Sequence, residues 1–177
     1  MKKKYITIIA ILTIIAFISY RAYNTYYYKQ NAEKLLNTIA SLTLLSDQIT
    51  TKYIDIWQKQ IDAGWGGYIY IDGKYRYFAS VEDAINYEKN KLIRSNMIKL
   101  FDENYSLFLK ESKNINKYPN NIKEIKEKMI DLYLDVKEYS ILTETPNGSL
   151  VSYSQNTNYL SNQIDRKFEE LTIMLKE

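Results

Sequence analysis

The sequence predicts a mainly α protein: an N-terminal transmembrane helix, then an antiparallel four-helix bundle with one short β-hairpin between the first two bundle helices. Three observations predict it. An apolar run from Tyr5 to Tyr20 sits between Lys2-Lys3-Lys4 and Arg21. Four later segments carry apolar residues at alternating spacings of three and four, the period of a helix with one buried face. Between the first two of these lies GWGGYIYIDGKYRYF, Gly64 to Phe78, which holds four of the five glycines and reads in twos rather than threes and fours.

The apolar run comes first. Sixteen helical residues from Tyr5 to Tyr20 span about 24 Å, a little short of the ~30 Å hydrocarbon core. Lys4 and Arg21 can snorkel, and Tyr5, Tyr20, Tyr23 and Tyr26 to Tyr28 suit an aromatic belt. A cleaved signal peptide, giving a secreted protein, is the competing reading. Cleavage after Ser19 or Ala22 would set Phe17 or Tyr20 where a small side chain is needed, which favours an uncleaved anchor. The expectation is residues 1–23 as a cytoplasmic basic tip and signal-anchor, membrane contact through residues 5–20, and a stalk at 24–34. Residues 35–177 form an extracytoplasmic bundle, with the hairpin at about 67–78. This places the chain in a bacterial cytoplasmic membrane, single-pass, N-terminus inside.

From Asn24 to Asp62 there is no proline or glycine. Leu35, Ile39, Leu42, Ile49, Tyr53 and Ile56 mark one face of a long helix, widened by Leu45, Trp57 and Ile61. Ala63-Gly64 stops it. Asp72-Gly73 then signals a two-residue type I′ hairpin, because both central residues need positive φ. That register pairs Ile71 with Lys74, Tyr70 with Tyr75, Ile69 with Arg76 and Tyr68 with Tyr77. Tyr68, Tyr70, Tyr75 and Tyr77 share one face, and Ile69, Ile71, Lys74 and Arg76 the other.

Ser80-Val-Glu-Asp83 caps a second helix running to about Ser112, with Ile85, Leu92, Met97, Leu100, Phe101, Tyr105 and Phe108 as its core. Asn121, with Glu124 three residues on, starts a third. Its Ile122, Ile125, Met129, Leu132, Val136 and Tyr139 follow a 3-4-3-4-3 seam, which serves an internal core or joins two chains as a homo-oligomer. Thr145-Pro-Asn-Gly148 turns into a fourth helix, Leu150 to Lys176, carrying Tyr153, Leu160, Ile164, Phe168, Leu171 and Leu175. The hairpin and the Gly148 turn should share one end of the bundle.

The chain has neither cysteine nor histidine. That removes disulfides, thiol chemistry, the commonest transition-metal ligand and the usual general base. No cofactor or metal is expected, and the expectation is a non-enzyme. Without Lys2, Lys3, Lys4 and Arg21, the remaining 20 basic residues face 21 acidic ones, so no nucleic-acid-binding face is expected. The glycines do not form a phosphate loop, since neither GK[ST] nor GxGxxG is present. The acidic neighbours Glu82-Asp83, Asp102-Glu103 and Glu169-Glu170 do not face one another on a helix.

These exclusions leave binding. The expected function is contact with another protein in a bacterial cell envelope, in an assembly, immunity or exclusion role. The contact would run through Trp65, Tyr68, Tyr70, Tyr75, Arg76 and Tyr77, because aromatic and Arg side chains supply dense contact energy. A small-ligand sensor module is the alternative, and a carboxylate-dependent cell-wall enzyme a distant one. The hairpin itself has two readings, a linker that caps the bundle or a recognition tip. They divide on whether its tyrosine face is covered.

Overall fold

The computed structural model describes residues 2–64 and 66–176, and the side chains of residues 2–10 and of Asn121 stand outside that description. The chain is mainly helical. In order, α1 is Lys2–Asp62, β1 Tyr68–Ile71, β2 Lys74–Tyr77, α2 Val81–Arg94, α3 Met97–Ser112, α4 Lys123–Glu144 and α5 Leu150–Lys176. Two short 3-10 turns, Ile115–Lys117 and Asn120–Ile122, join α3 to α4.

The long α1 is the spine, and the other four helices all pack on it. Ala32, Leu35, Ile39, Leu42, Ile49, Tyr53 and Ile56 are all essentially inaccessible. Opposite them stand the α4 seam, buried from Ile122 to Tyr139, and Tyr153, Leu160, Ile164, Leu171 and Leu175 of α5. Phe101, Tyr105, Phe108 and Tyr133 stack in series and close the side between α3 and α4. Connections alternate between the two ends. At one end Lys89 of α2 reaches the Glu144 carbonyl at 3.3 Å, which sets the Gly148 turn beside the hairpin's support. At the other, Tyr28 meets Tyr118 with ring centres 5.2 Å apart.

Two expectations are overturned. Among the described residues no helix is long and apolar enough to cross a membrane. The apolar side chains that are described, residues 11 to 19, cover only about 14 Å against ~30 Å of hydrocarbon, and Arg21 follows closely. The transmembrane signal-anchor, the membrane contact through residues 5–20 and the single-pass placement with an extracytoplasmic bundle are therefore withdrawn. What the described part of this segment shows is a helix with Ile11, Leu12, Ile14, Ile15, Phe17 and Ile18 all exposed.

The second correction concerns the rod count. The single second helix expected from Ser80 to Ser112 is two helices, which makes five α-helices among the described residues. Asn96 takes a left-handed conformation, φ 61°, which asparagine tolerates better than most residues. The Ser95 and Asn96 amides bond back to the Lys91 and Ile93 carbonyls, and the Ser95 hydroxyl donates to the Leu92 carbonyl. The kink changes the phase of the stripe. Leu100, expected in the core, is exposed, whereas Phe101 and Phe108 are buried. The start of α2 matches its sequence signal: the Asp83 amide donates to the Ser80 hydroxyl at 3.1 Å, with Glu82 and Asp83 in the first turn. The expected Asn121 cap concerns a side chain outside the described residues.

Candidate functional site

The hairpin is seated on the end of α1 by a close approach. A Cβ built on Gly67 would lie 2.4 Å from the Ala63 carbonyl oxygen, so only glycine fits there. Gln60, almost fully buried, adds a long hydrogen bond from its side-chain amide to the Gly64 carbonyl at 3.3 Å. At the tip, Asp72 and Gly73 both have positive φ, 52° and 77°, which defines the type I′ turn. The register is Tyr68–Tyr77, Ile69–Arg76, Tyr70–Tyr75 and Ile71–Lys74.

One face points inward. Ile69 and Ile71 are buried with Phe78 against Ile56 of α1 and Ala84 of α2, a small hydrophobic cluster separate from the main core. The turn is pinned to α2. The Tyr87 hydroxyl donates to one Asp72 carboxylate oxygen at 2.7 Å, and the Lys91 ammonium to the other at 2.8 Å. Lys91 also reaches the buried Glu88 at 3.4 Å. The hydrogen bond from Lys91, then that from Tyr87, hold the Asp72 carboxyl below its usual range. The same bond to Asp72 raises Lys91. Burial, then the Asp72 hydrogen bond, pushes Tyr87 up.

The other face points outward. Tyr68, Tyr70, Tyr75 and Tyr77 are 67, 59, 72 and 56 % exposed. They stand as two cross-strand pairs, with ring centres 5.4 Å apart for Tyr68–Tyr77 and 5.3 Å for Tyr70–Tyr75. Such pairs stiffen a hairpin as well as decorating it.

The structure thus brings together four of the six residues singled out from sequence. Arg76 is on the opposite face, its guanidinium 4.6 Å from the centre of the Tyr87 ring and its Nε buried without a hydrogen-bond partner. Trp65 lies outside the described residues. Sequence reasoning missed Tyr87 and Lys91, which fix the turn. Their one signal is the spacing of four, which sets both on the same side of α2. Among the described residues no group of three or more carboxylates stands close enough to hold a metal ion.

No protein-family model matches the chain, and no curated protein or solved structure matches it significantly.

Proposed function

We propose that this protein acts by binding another protein, with the tyrosine face of the hairpin as the contact surface. One observation carries the reading: four tyrosines share one sheet face, each more than half exposed, while Ile69 and Ile71 of the opposite face are buried and the turn is pinned to α2. A hairpin needs only one face packed to be stable. Its second face is free to be polar, yet here it is aromatic. Tyrosine offers a large, rigid, amphipathic surface with few torsions to immobilise. Fixing the platform beforehand lowers the ordering cost of association.

The test is a photo-crosslinking residue at Tyr75, with the exposed Leu134 on α4 as control, followed by titration of the purified captured partner. The reading expects capture at Tyr75 alone, and about tenfold or greater weakening when Tyr75→Ser and Tyr77→Ser are combined. Equal capture at Leu134, or unchanged affinity of the double variant, overturns it.

A further inference from the structure

The hairpin's register fixes more than its side chains. In a two-residue hairpin the pair that closes the turn, Ile71 and Lys74, exchanges hydrogen bonds across the strands, and alternate pairs follow suit. The next such pair is Ile69–Arg76, and the one after it is Gly67–Phe78, where the Phe78 amide donates to the Gly67 carbonyl at 3.3 Å. The pairs between, Tyr70–Tyr75 and Tyr68–Tyr77, are the non-hydrogen-bonded ones. Their amides and carbonyls therefore point away from the partner strand, towards the sheet's two outer edges. The residues that form the aromatic face also carry the free edge groups.

The two edges differ. On β1, Ile69 and Ile71 are buried, and this strand packs on α1. On β2, Lys74, Tyr75 and Tyr77 are exposed and only Arg76 is partly covered. No described residue outside the sheet forms a backbone hydrogen bond with Tyr75 or Tyr77. On the inner side of this edge β2 itself carries two cations, Lys74 and Arg76; the Asp72 carboxylate near Arg76 is already held by Tyr87 and Lys91. A second copy pairing through the same edge would set these cations against each other, which disfavours it.

We propose that the β2 edge takes an extended segment of an acidic partner as a third, antiparallel strand. This rests on the reading that the hairpin is the binding surface, and names how it binds. The Tyr75 and Tyr77 amides and carbonyls pair with the incoming backbone, as in other strand-addition complexes. Alternate apolar side chains of the segment lie along the tyrosine face. The intervening acidic side chains lie on the side of Lys74 and Arg76. The recognised chemistry is therefore an alternating apolar–acidic strand.

The probe is the capped heptapeptide Val-Glu-Val-Glu-Val-Glu-Val, added to the full chain, with amide hydrogen exchange as the readout. Saturating peptide should slow exchange about tenfold or more at Tyr75 and Tyr77, with no comparable protection at Tyr68 and Tyr70. The residues opposite Tyr75 and Tyr77 are the valines, whose amides point at β2. N-methylation of the valines should abolish binding, and N-methylation of the glutamates should leave it within about threefold. Lys74→Glu, at an exposed position, should weaken binding about fivefold or more. Protection at Tyr68 and Tyr70 instead, binding that survives valine methylation, or no protection at about 1 mM peptide overturns edge pairing. If Tyr75→Ser with Tyr77→Ser abolishes partner binding while the peptide leaves both amides unprotected, edge pairing fails and the tyrosine-face reading stands. Unchanged partner binding in that double variant removes the reading itself.

Discussion

Tyrosine does opposite things at two places in this molecule. Tyr53, Tyr118, Tyr139 and Tyr153 are buried in the main core, whereas Tyr68, Tyr70, Tyr75 and Tyr77 line the outside of the hairpin. The core tyrosines fill volume and then need somewhere to put a hydroxyl. Tyr139 donates to Asp47, which also receives the Ser161 hydroxyl at 3.0 Å, and lies 3.2 Å from the Thr50 hydroxyl. Tyr153 donates to the Leu142 carbonyl at 3.3 Å and packs on Trp57. The hairpin tyrosines bury little and pair mainly with each other. In the core the ring holds the fold together, and on the hairpin it is held up by the fold.

The widest separation between the two sets should come from truncation. Tyr153→Ala removes a fully buried ring and should cost about 3–5 kcal/mol, read as a lower denaturant midpoint. A loss below about 1 kcal/mol would mean that α5 repacks, and that the contrast is overdrawn.

Alkaline pH should separate them next. Burial, with a smaller contribution from Glu88, pushes Tyr53 up to about 12, and burial raises Tyr118, Tyr139 and Tyr153 as well. Their folded values lie above the unfolded one of ~10. Their contribution to stability is therefore fully present below pH ~10 and is lost as pH rises through that value towards the folded ones. Phenolate absorbance from these four should appear only together with loss of helix by circular dichroism. Ionisation of all four at full helicity would contradict their burial.

A smaller effect is expected at the hairpin. Combining Tyr70→Ser with Tyr75→Ser removes one cross-strand pair and should change global stability by no more than about 1 kcal/mol. A core-sized loss in thermal unfolding would show that this face supports the fold after all.

The smallest effect concerns the pin. The Asp72 carboxyl is held below its usual range, so its stabilisation is present above pH ~3.9 and is lost as pH falls through the lowered folded value. Asp72 and Lys91 are both more than a third exposed, which limits the effect to a fraction of ~1 kcal/mol. Hairpin amides should exchange faster below pH ~4 while α4 amides do not. Asp72→Asn should show the loosened hairpin at neutral pH.

Much of this was readable from residues alone, for identifiable reasons. Asp72-Gly73 dictates a turn geometry, and the geometry dictates which residues face each other. The 3-4-3-4-3 spacing on α4 likewise states which side is buried. Alternation cannot say which hairpin face meets the helices, because that depends on what α1 and α2 present. Ile56 and Ala84 accept Ile69 and Ile71, and Tyr87 and Lys91 then hold the turn. These contacts join residues distant in sequence. The break at Asn96 was hidden for a similar reason, since neither proline nor glycine marks it. Two helices set at different phases let α2 support the hairpin while α3 turns Phe101 and Phe108 into the core. The apolar start of α1 announced its composition plainly, but a span also requires length, and the described residues do not supply it.

The unbroken α1 has a geometrical consequence for the face it carries. The hairpin sits on its last turn, so the direction in which the tyrosines look is set by rotation about a single axis. Each helical residue advances that axis by 1.5 Å and turns it by about 100°. One residue inserted near Arg21, ahead of the packed stretch, would leave the core intact. It would swing everything N-terminal to the insertion about a quarter-turn or more relative to the tyrosines. A site mounted on a loop would absorb the same insertion without changing its bearing. In this protein the compass heading of the aromatic face is written in the residue count of a helix.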